Sequence, residues 1–220
     1  MERDAFLGRV RTATAGAVLP PHPERDPGLL VPDLPSVDLV DGFMEQLAAA
    51  EGNPERMGST DEVRHRVVEI ARHYELDSFM VWDEDQMPVG GIGPVLAAAG
   101  LREVSGEVDS ERRLAHQTGY MDLGLGVTGA EAGFTESGTI VVRSGPGRPR
   151  MASLIPLVHV AVLPEERLYR SLAHWAAEHA GTIPDAANVV FITGPSKTGD
   201  IEQNINVGVH GPRYVHVLLI

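Results

Sequence analysis

The chain predicts an α/β protein built on a parallel or mostly parallel sheet, and three observations lead there. From about residue 115 onward, short β-branched runs alternate with segments of helical periodicity, the pattern of βαβ crossovers. One run, PLVHVAVL at 156–163, is almost continuously apolar, as a strand covered on both faces requires. A composition of 43% hydrophobic but only 5% aromatic residues over 220 positions supports one sizeable core made of Ala, Val, Leu and Ile.

Residues 2–14 have the spacing of a short amphipathic helix, with Phe6, Leu7, Val10 and Ala13 on one side. Six prolines between Pro20 and Pro35 then forbid regular helix and favour extended backbone. That stretch reads as a linker or as an arm wrapping its own or a partner subunit, since GLLV within it is apolar. The expected division is an N-terminal helix and Pro-rich arm at 1–50 and a single domain at 51–220. DLVDGFMEQLAAAEG reads as a helix ending at Gly52. STDEVRHRVVEIARHY reads as a second, with a capping box of Ser59 and Glu62 and a buried stripe of Val63, Val67, Ile70 and Ala71. SFMVW is a short strand, and IGPVLAAAG a short helix closed by Gly100. GTIVVRS, PLVHVAVL, NVVFITG and RYVHVLLI are the strands of the second half. PEERLYRSLAHWAAEHAG is a helix opening at Pro164 and ending at Gly181, burying Leu168, Leu172, Trp175 and Ala176. Ligands of such sheets lie beyond the carboxyl ends of the strands, so the loops after TIVV, HVAVL and VVFIT are where a site is sought.

The bulk properties exclude several classes. A formal charge of −13 disfavours phosphate backbones and anionic lipid, so nucleic acid is not an expected partner. With no cysteine, the chain has no thiolate to hold an iron–sulfur cluster or act as a nucleophile. The start, MERDAFLGRV, is charged and unlike a signal peptide, and no run of about 18 apolar residues is present. A soluble cytoplasmic protein without membrane insertion is expected. No cofactor is expected, and the oligomeric state is left open.

Several motifs bear on chemistry. GLGVTG (Gly124, Gly126, Gly129) matches G-x-G-x-x-G, but no strand–turn–helix context surrounds it and no acid falls between Glu136 and Glu165, so a glycine-rich loop is the better reading. GPSKTGD (Gly194–Asp200) has Asp200 where a phosphate loop has its lysine. It follows a strand and reads as the opening of a helical turn, DIEQNI. Ser196, Thr198 or Asp200 would cap that turn, or its N–H groups and Lys197 would hold an anion. GVHGPRYVH puts His210 and Arg213 around a Gly-Pro turn, where arginine can grip a carboxylate and histidine titrates near neutrality. His159 and His216 fall inside strands and read as core histidines. His174 and His179 are five apart on a helix and diverge, so no metal pair is expected. VRSGPGRPR carries Arg143, Arg148 and Arg150 and reads as an anion-facing or a charge-balancing loop. In GFTESGTIVVRSG, Glu136 stands among hydroxyls and glycines. It reads as a catalytic carboxylate, as an acceptor tying its own loop together, or as part of a docking surface.

Three segments in order, TGAEAGFTESGTIVVRSGPGRPRMASLIPLVHVAVL, FITGPSKTGDIE and GVHGPRYVHVLLI, resemble the LUD-domain family, in its lactate utilization protein C group. The resemblance is close over 115–220 and loose over 50–115. It implies a three-layer α/β/α fold with a mostly parallel central sheet, similar to CoA transferases and ribose-5-phosphate isomerase. It also implies work beside iron–sulfur lactate utilization proteins that oxidise L-lactate to pyruvate, as a non-redox subunit or accessory. CoA transferases of this fold class carry a nucleophilic Glu on a short Gly-containing loop, and TESG is similar, which would let Glu136 attack a thioester carbonyl. The expected site joins three loops: Glu136–Thr139, Gly194–Asp200 and His210–Arg213. Thr139, Ser196, Lys197, Thr198 and Arg213 would bind a small carboxylate, with Glu136 or His210 as proton acceptor. The alternatives are a partner-docking protein without chemistry and, by fold analogy, an enzyme of CoA esters or sugar phosphates.

Overall fold

The computed structural model describes residues 3–16, 38–106, 122–179, 188–199, 205–207 and 211–220, with backbone alone at 198–199 and 205–207. The chain divides into two compact units, Met1–Leu30 and Val31–Ile220. In the first, helix α1 (Arg3–Thr14) forms where the apolar periodicity places it. The expectation for the Pro-rich stretch lies outside the described residues.

The second unit opens with helix α2 (Leu39–Ala49), whose first turn is held by Asp38 accepting the N–H groups of Val40 and Asp41 at 3.0 Å each. Strand β1 (Asn53–Arg56) leads into α3 (Thr60–His73). There Ser59 Oγ accepts the Glu62 N–H at 3.2 Å, while the Glu62 carboxylate takes the N–H of Gly58 at 2.7 Å, one residue upstream of the expected capping-box partner. Next come β2 (Ser78–Val81), α4 (Ile92–Ala98), β3 (Arg102–Glu103) and β4 (Leu125–Gly129). The second half holds β5 (Ala132–Phe134), β6 (Thr139–Ser144), α5 (Met151–Leu154), β7 (Val158–Leu163), β8 (Leu168–Tyr169) and α6 (Leu172–His179). It closes with β9 (Asn188–Ile192), β10 (Lys197–Gly199), β11 (Ile205–Val207) and β12 (Tyr214–Leu219).

The central sheet has six strands in the order β1-β12-β7-β4-β2-β3, every neighbouring pair parallel. One face is covered by α3 and α4, whose Val63, Val67, Ile70, Ile92 and Leu96 pack on Phe79, Leu125, Val160 and Leu218. The other is covered by α2 and α5 and by a second sheet, which bring Phe43, Leu47, Ala152, Ile140 and Val142 against Met80, Ala161, Leu163 and Val217. With both faces covered, every residue of β7 is buried, which is why PLVHVAVL is apolar without alternation. This is the expected three-layer α/β architecture.

The second sheet, β8-β5-β6-β9, corrects part of the expectation. GTIVVRS and NVVFITG are strands as expected, but they pair antiparallel with each other outside the central sheet, Val141 opposite Phe191. An apolar β-branched run marks a buried strand without saying which sheet it joins. The helix expected from Pro164 begins later. Glu165–Arg167 is a single 3₁₀ turn, and Leu168–Tyr169 pairs with β5 before α6 starts. Trp175 is buried at 1%, packed with Phe134 and Val141, whereas Leu172, at the helix start, is 43% exposed. Residues 197–199 of GPSKTGD pair antiparallel with 205–207 as a two-stranded ribbon, and the helical turn expected over DIEQNI lies, apart from Ile205, outside the described residues. GLGVTG lies inside and around β4 rather than in a loop. A Cβ on Gly126 would sit 1.7 Å from the carbonyl oxygen of Ala152, so that glycine answers to the close approach of α5.

Candidate functional site

The loops named from the sequence do come together in part. Thr139 opens β6 and is buried, with its hydroxyl 2.7 Å from Ser137 Oγ and 2.6 Å from Thr193 Oγ1. That chain of three hydroxyls ties the turn before β6 to the end of β9. Gly194 follows with φ +76°, and a Cβ there would lie 2.3 Å from the carbonyl oxygen of Ala50, so the loop crosses the end of α2 at contact distance. Ser196 donates its backbone N–H to Pro212 at 2.9 Å, which fastens this loop to the Gly-Pro turn. Lys197 Nζ lies 2.8 Å from Glu51, just past the end of α2. Arg213 donates its backbone N–H to Leu157 at 2.9 Å; its side chain is exposed, with the guanidinium 5.6 Å from the Tyr214 ring. Thr198 pairs with Asn206 through backbone; its side chain, and all of His210, lie outside what the structure describes.

Glu136 belongs to a different neighbourhood. It is exposed, its backbone N–H bonds Arg170, and its carboxylate accepts the N–H of Leu172 at 3.2 Å. Leu172 is the first residue of α6, so the carboxylate sits where orphan donors and the positive end of the helix dipole meet it. Among the described residues no hydrogen bond or ion pair joins Glu136 to Lys197 or Arg213. The tight turn that carries it has its own cause. Gly138 has φ +65°, and a Cβ there would fall 2.2 Å from the backbone nitrogen of Leu47.

A second constellation lies beyond the carboxyl ends of β2 and β4. Trp82, Gln86, Glu131, Arg143, Arg148 and Arg167 line a cavity of about 80 Å³. Glu131, just past β4, pairs with Arg143 from β6, and Arg167 Nη1 donates to the carbonyl of Ala130 at 3.1 Å. The turn at 145–148 is pinned to the end of β2 by the N–H of Asp83, which donates to Gly147 at 2.8 Å. This puts the Arg148 guanidinium 6.0 Å from the centroid of the Trp82 ring. Two wider depressions adjoin, about 380 and 500 Å³, both bordered by Asp83 and Glu103. Sequence reasoning placed Arg143 and Arg148 on one loop but missed Trp82 and Arg167. The signal for Trp82 was its place as the last letter of SFMVW, at the carboxyl end of a parallel strand.

The buried histidines are core groups. His159 is wholly enclosed, with Nε2 2.9 Å from Thr128 Oγ1, and burial pushes its pKa down to about 3, so its ring is neutral. Burial also lowers His216, whose Nε2 is 3.2 Å from the Tyr74 hydroxyl, and nearby Glu55 offsets this in part. Among the described residues no group of three or more His, Asp or Glu is placed to hold a metal ion, and no helix is long and apolar enough to cross a membrane.

Residues 40–220 match the LUD domain family. The chain belongs to that family. Among its relatives is a protein of Halalkalibacterium halodurans named Lactate utilization protein C, 29% identical over 94% of this chain and 89% of that protein. A Shouchella clausii protein of the same name is 29% identical over 96% and 93%. One from Exiguobacterium, also of that name, reaches 42% identity over a shorter stretch, 44% of each chain. The crystal structure of a DUF162 family protein from Deinococcus radiodurans superposes with a TM-score of 0.60, covering 82% of this chain and 95% of that one at 15% identity, a likeness of fold. The LUD domain thus takes in α2 to β12, and with them both constellations described above.

Proposed function

We propose that this LUD-domain protein acts in lactate utilization, as a subunit without a redox centre of its own beside iron–sulfur proteins that oxidise L-lactate to pyruvate. The observation that carries the reading is the pair of relatives named Lactate utilization protein C that align over at least 94% of this chain and 89% of their own length. The composition supports the division of labour. With no cysteine, the chain cannot hold a cluster by thiolates, and electron transfer falls to partners. Of the residues named from sequence, Lys197 and Arg213 carry the contact with a carboxylate or an acidic partner, because they stand on loops fastened to each other through Ser196 and Pro212. Glu136 keeps the helix-capping role its geometry gives it.

The test is to tag the full chain in its own cells, recover it gently, identify what accompanies it, and assay the eluate for L-lactate-dependent dye reduction. The expected result is co-purifying iron–sulfur proteins with lactate-dependent reduction, weakened roughly tenfold by Arg213→Ala, the loss of one hydrogen bond to a charged group. A lone protein without that activity would sink the subunit reading, and unchanged kinetics in the variant would remove Arg213 from it.

A further inference from the structure

We infer that the cavity between Trp82 and Arg148 is an oxyanion-binding site, one that takes the carboxylate or phosphate group of a small molecule. The cavity is rich in donors. Among the described residues the indole Nε1 of Trp82 and the Nε of Arg148 are both buried with no hydrogen-bond partner, and Trp82 is only 5% exposed. Each is an N–H group that can only donate, so each is satisfied only by an acceptor from outside the protein. Two acceptors of the lining are engaged: Glu131 Oε1 by Arg143, and the Ala130 carbonyl by Arg167. Gln86 has one amide oxygen to offer.

Charge points the same way. Three guanidiniums face one carboxylate in the lining, which leaves two formal positive charges in a chain of net charge −13. Neither Arg148 nor Arg167 has an ion pair among the described residues. A local excess of positive charge against a strongly acidic background is not a by-product of composition. Position agrees as well, for the cavity lies beyond the carboxyl ends of two adjacent parallel strands, β2 and β4. A space of about 80 Å³ takes one anionic group and not a whole cofactor, so the rest of the ligand lies in the adjoining depressions bordered by Asp83. Water also fits such a space, and it is the competing occupant that the experiment must exclude.

The inference does not depend on the lactate reading, and its test uses different residues. Sodium phosphate and sodium L-lactate are titrated separately into the full chain, against sodium chloride at matched ionic strength, followed by calorimetry and by indole fluorescence. The chain has two tryptophans, Trp82 and Trp175, so Trp82→Phe identifies which one reports. Saturable binding of either oxyanion over chloride supports the site, and which salt binds decides between phosphate and carboxylate. Arg148→Gln should weaken that binding at least tenfold with unchanged circular dichroism, and Trp82→Phe should weaken it while abolishing the fluorescence signal. A response no different from chloride, or equal affinity in folded Arg148→Gln, overturns the proposal. Phosphate binding that falls in Arg148→Gln, beside lactate-dependent turnover that falls in Arg213→Ala, separates the two ideas.

Discussion

The loop cluster around Thr139 and the cavity beside Trp82 are both polar, and they differ in where their hydrogen bonds end. In the loop cluster Thr139, the Ser196 N–H and Lys197 find partners inside the protein. Thr139 has Ser137 and Thr193, the Ser196 N–H has Pro212, and Lys197 has Glu51; Glu136, in its own neighbourhood, has the start of α6. Among the described residues, two buried donors of the cavity's lining residues, Trp82 Nε1 and Arg148 Nε, have none. A satisfied hydrogen bond accounts structurally for the group that makes it, whereas a buried donor without a partner, on a residue that lines a cavity, leaves a place for an acceptor that comes and goes. The chemistry-bearing letters of the sequence pointed most strongly to the first region, and the unmet bonds point to the second.

The strongest way to break that contrast is through the backbone. If the loop cluster is structural, its glycines should be costly to replace. Gly138→Ala combines φ +65° with a Cβ 2.2 Å from the backbone of α2, which cannot yield. A loss of about 3 kcal/mol or more in urea denaturation is expected. At the rim of the cavity, Gly147 also has a positive φ of +68°, but its nearest neighbours are the side chains of Asp83 and Gln86. Gly147→Ala should cost only about 1–2 kcal/mol. Equal costs would erase the distinction.

A buried orphan group without a cavity sharpens the rule. Among the described residues His159 Nδ1 also lacks a partner, yet His159 lines none of the three cavities described above, and desolvation alone settles its state with a pKa of about 3. Its folded pKa lies below the unfolded value near 6.5, so the unfolded chain binds the extra proton between them. The stability this neutral ring preserves is complete above about 6.5 and drains away as pH falls toward 3, by at most about 1.4 kcal/mol per pH unit. His216 shifts in the same direction, so the useful quantity is the difference between the parent and His159→Gln. The variant's stability should fall less steeply over that window, and parallel pH curves would count against a neutral buried ring.

Most of the fold was legible in the sequence because periodicity and caps are local. The stripe Val63, Val67, Ile70 and Ala71 is buried as spaced, and Ser59 caps α3. What was not legible depends on distant chain. No local signal tells that TIVV and VVFI pair in a second sheet, or that the helix after Pro164 is delayed so that Leu168 can join β5. The glycines of GLGVTG matched a ligand motif, whereas Gly126 is small because a carbonyl of α5 lies against it. The cavity was half visible. Arg143 and Arg148 share one loop, but Trp82 and Arg167 reach it from 61 or more residues away on one side and 19 on the other.

A smaller effect comes from within the hydroxyl chain. Thr139→Val keeps the shape of a buried β-branched residue and removes the hydroxyl that joins Ser137 to Thr193. It should cost about 1–2 kcal/mol, since a partner is lost and two hydroxyls must find others. Oxyanion affinity, measured as above, should not move; a tenfold loss there would place Thr139 in a binding role and collapse the contrast between the regions.

The smallest expected effect concerns the residue with the most chemical promise on paper. Glu136 is exposed, and its carboxylate holds one N–H at the first turn of α6. Glu136→Gln keeps an oxygen that can accept from Leu172 and deletes the charge, so what is lost is the favourable term between a carboxylate and a helix N-terminus. For an exposed pair this is about 0.5 kcal/mol, and it should shrink with added salt. Denaturation at low and high ionic strength reads it directly. Lactate-dependent turnover of the assembled system should be unchanged in the same variant. A collapse of turnover with stability intact would mean that the carboxylate leaves its helix to meet a substrate, and the loop cluster would then have to be read as a site that is satisfied only while it is idle.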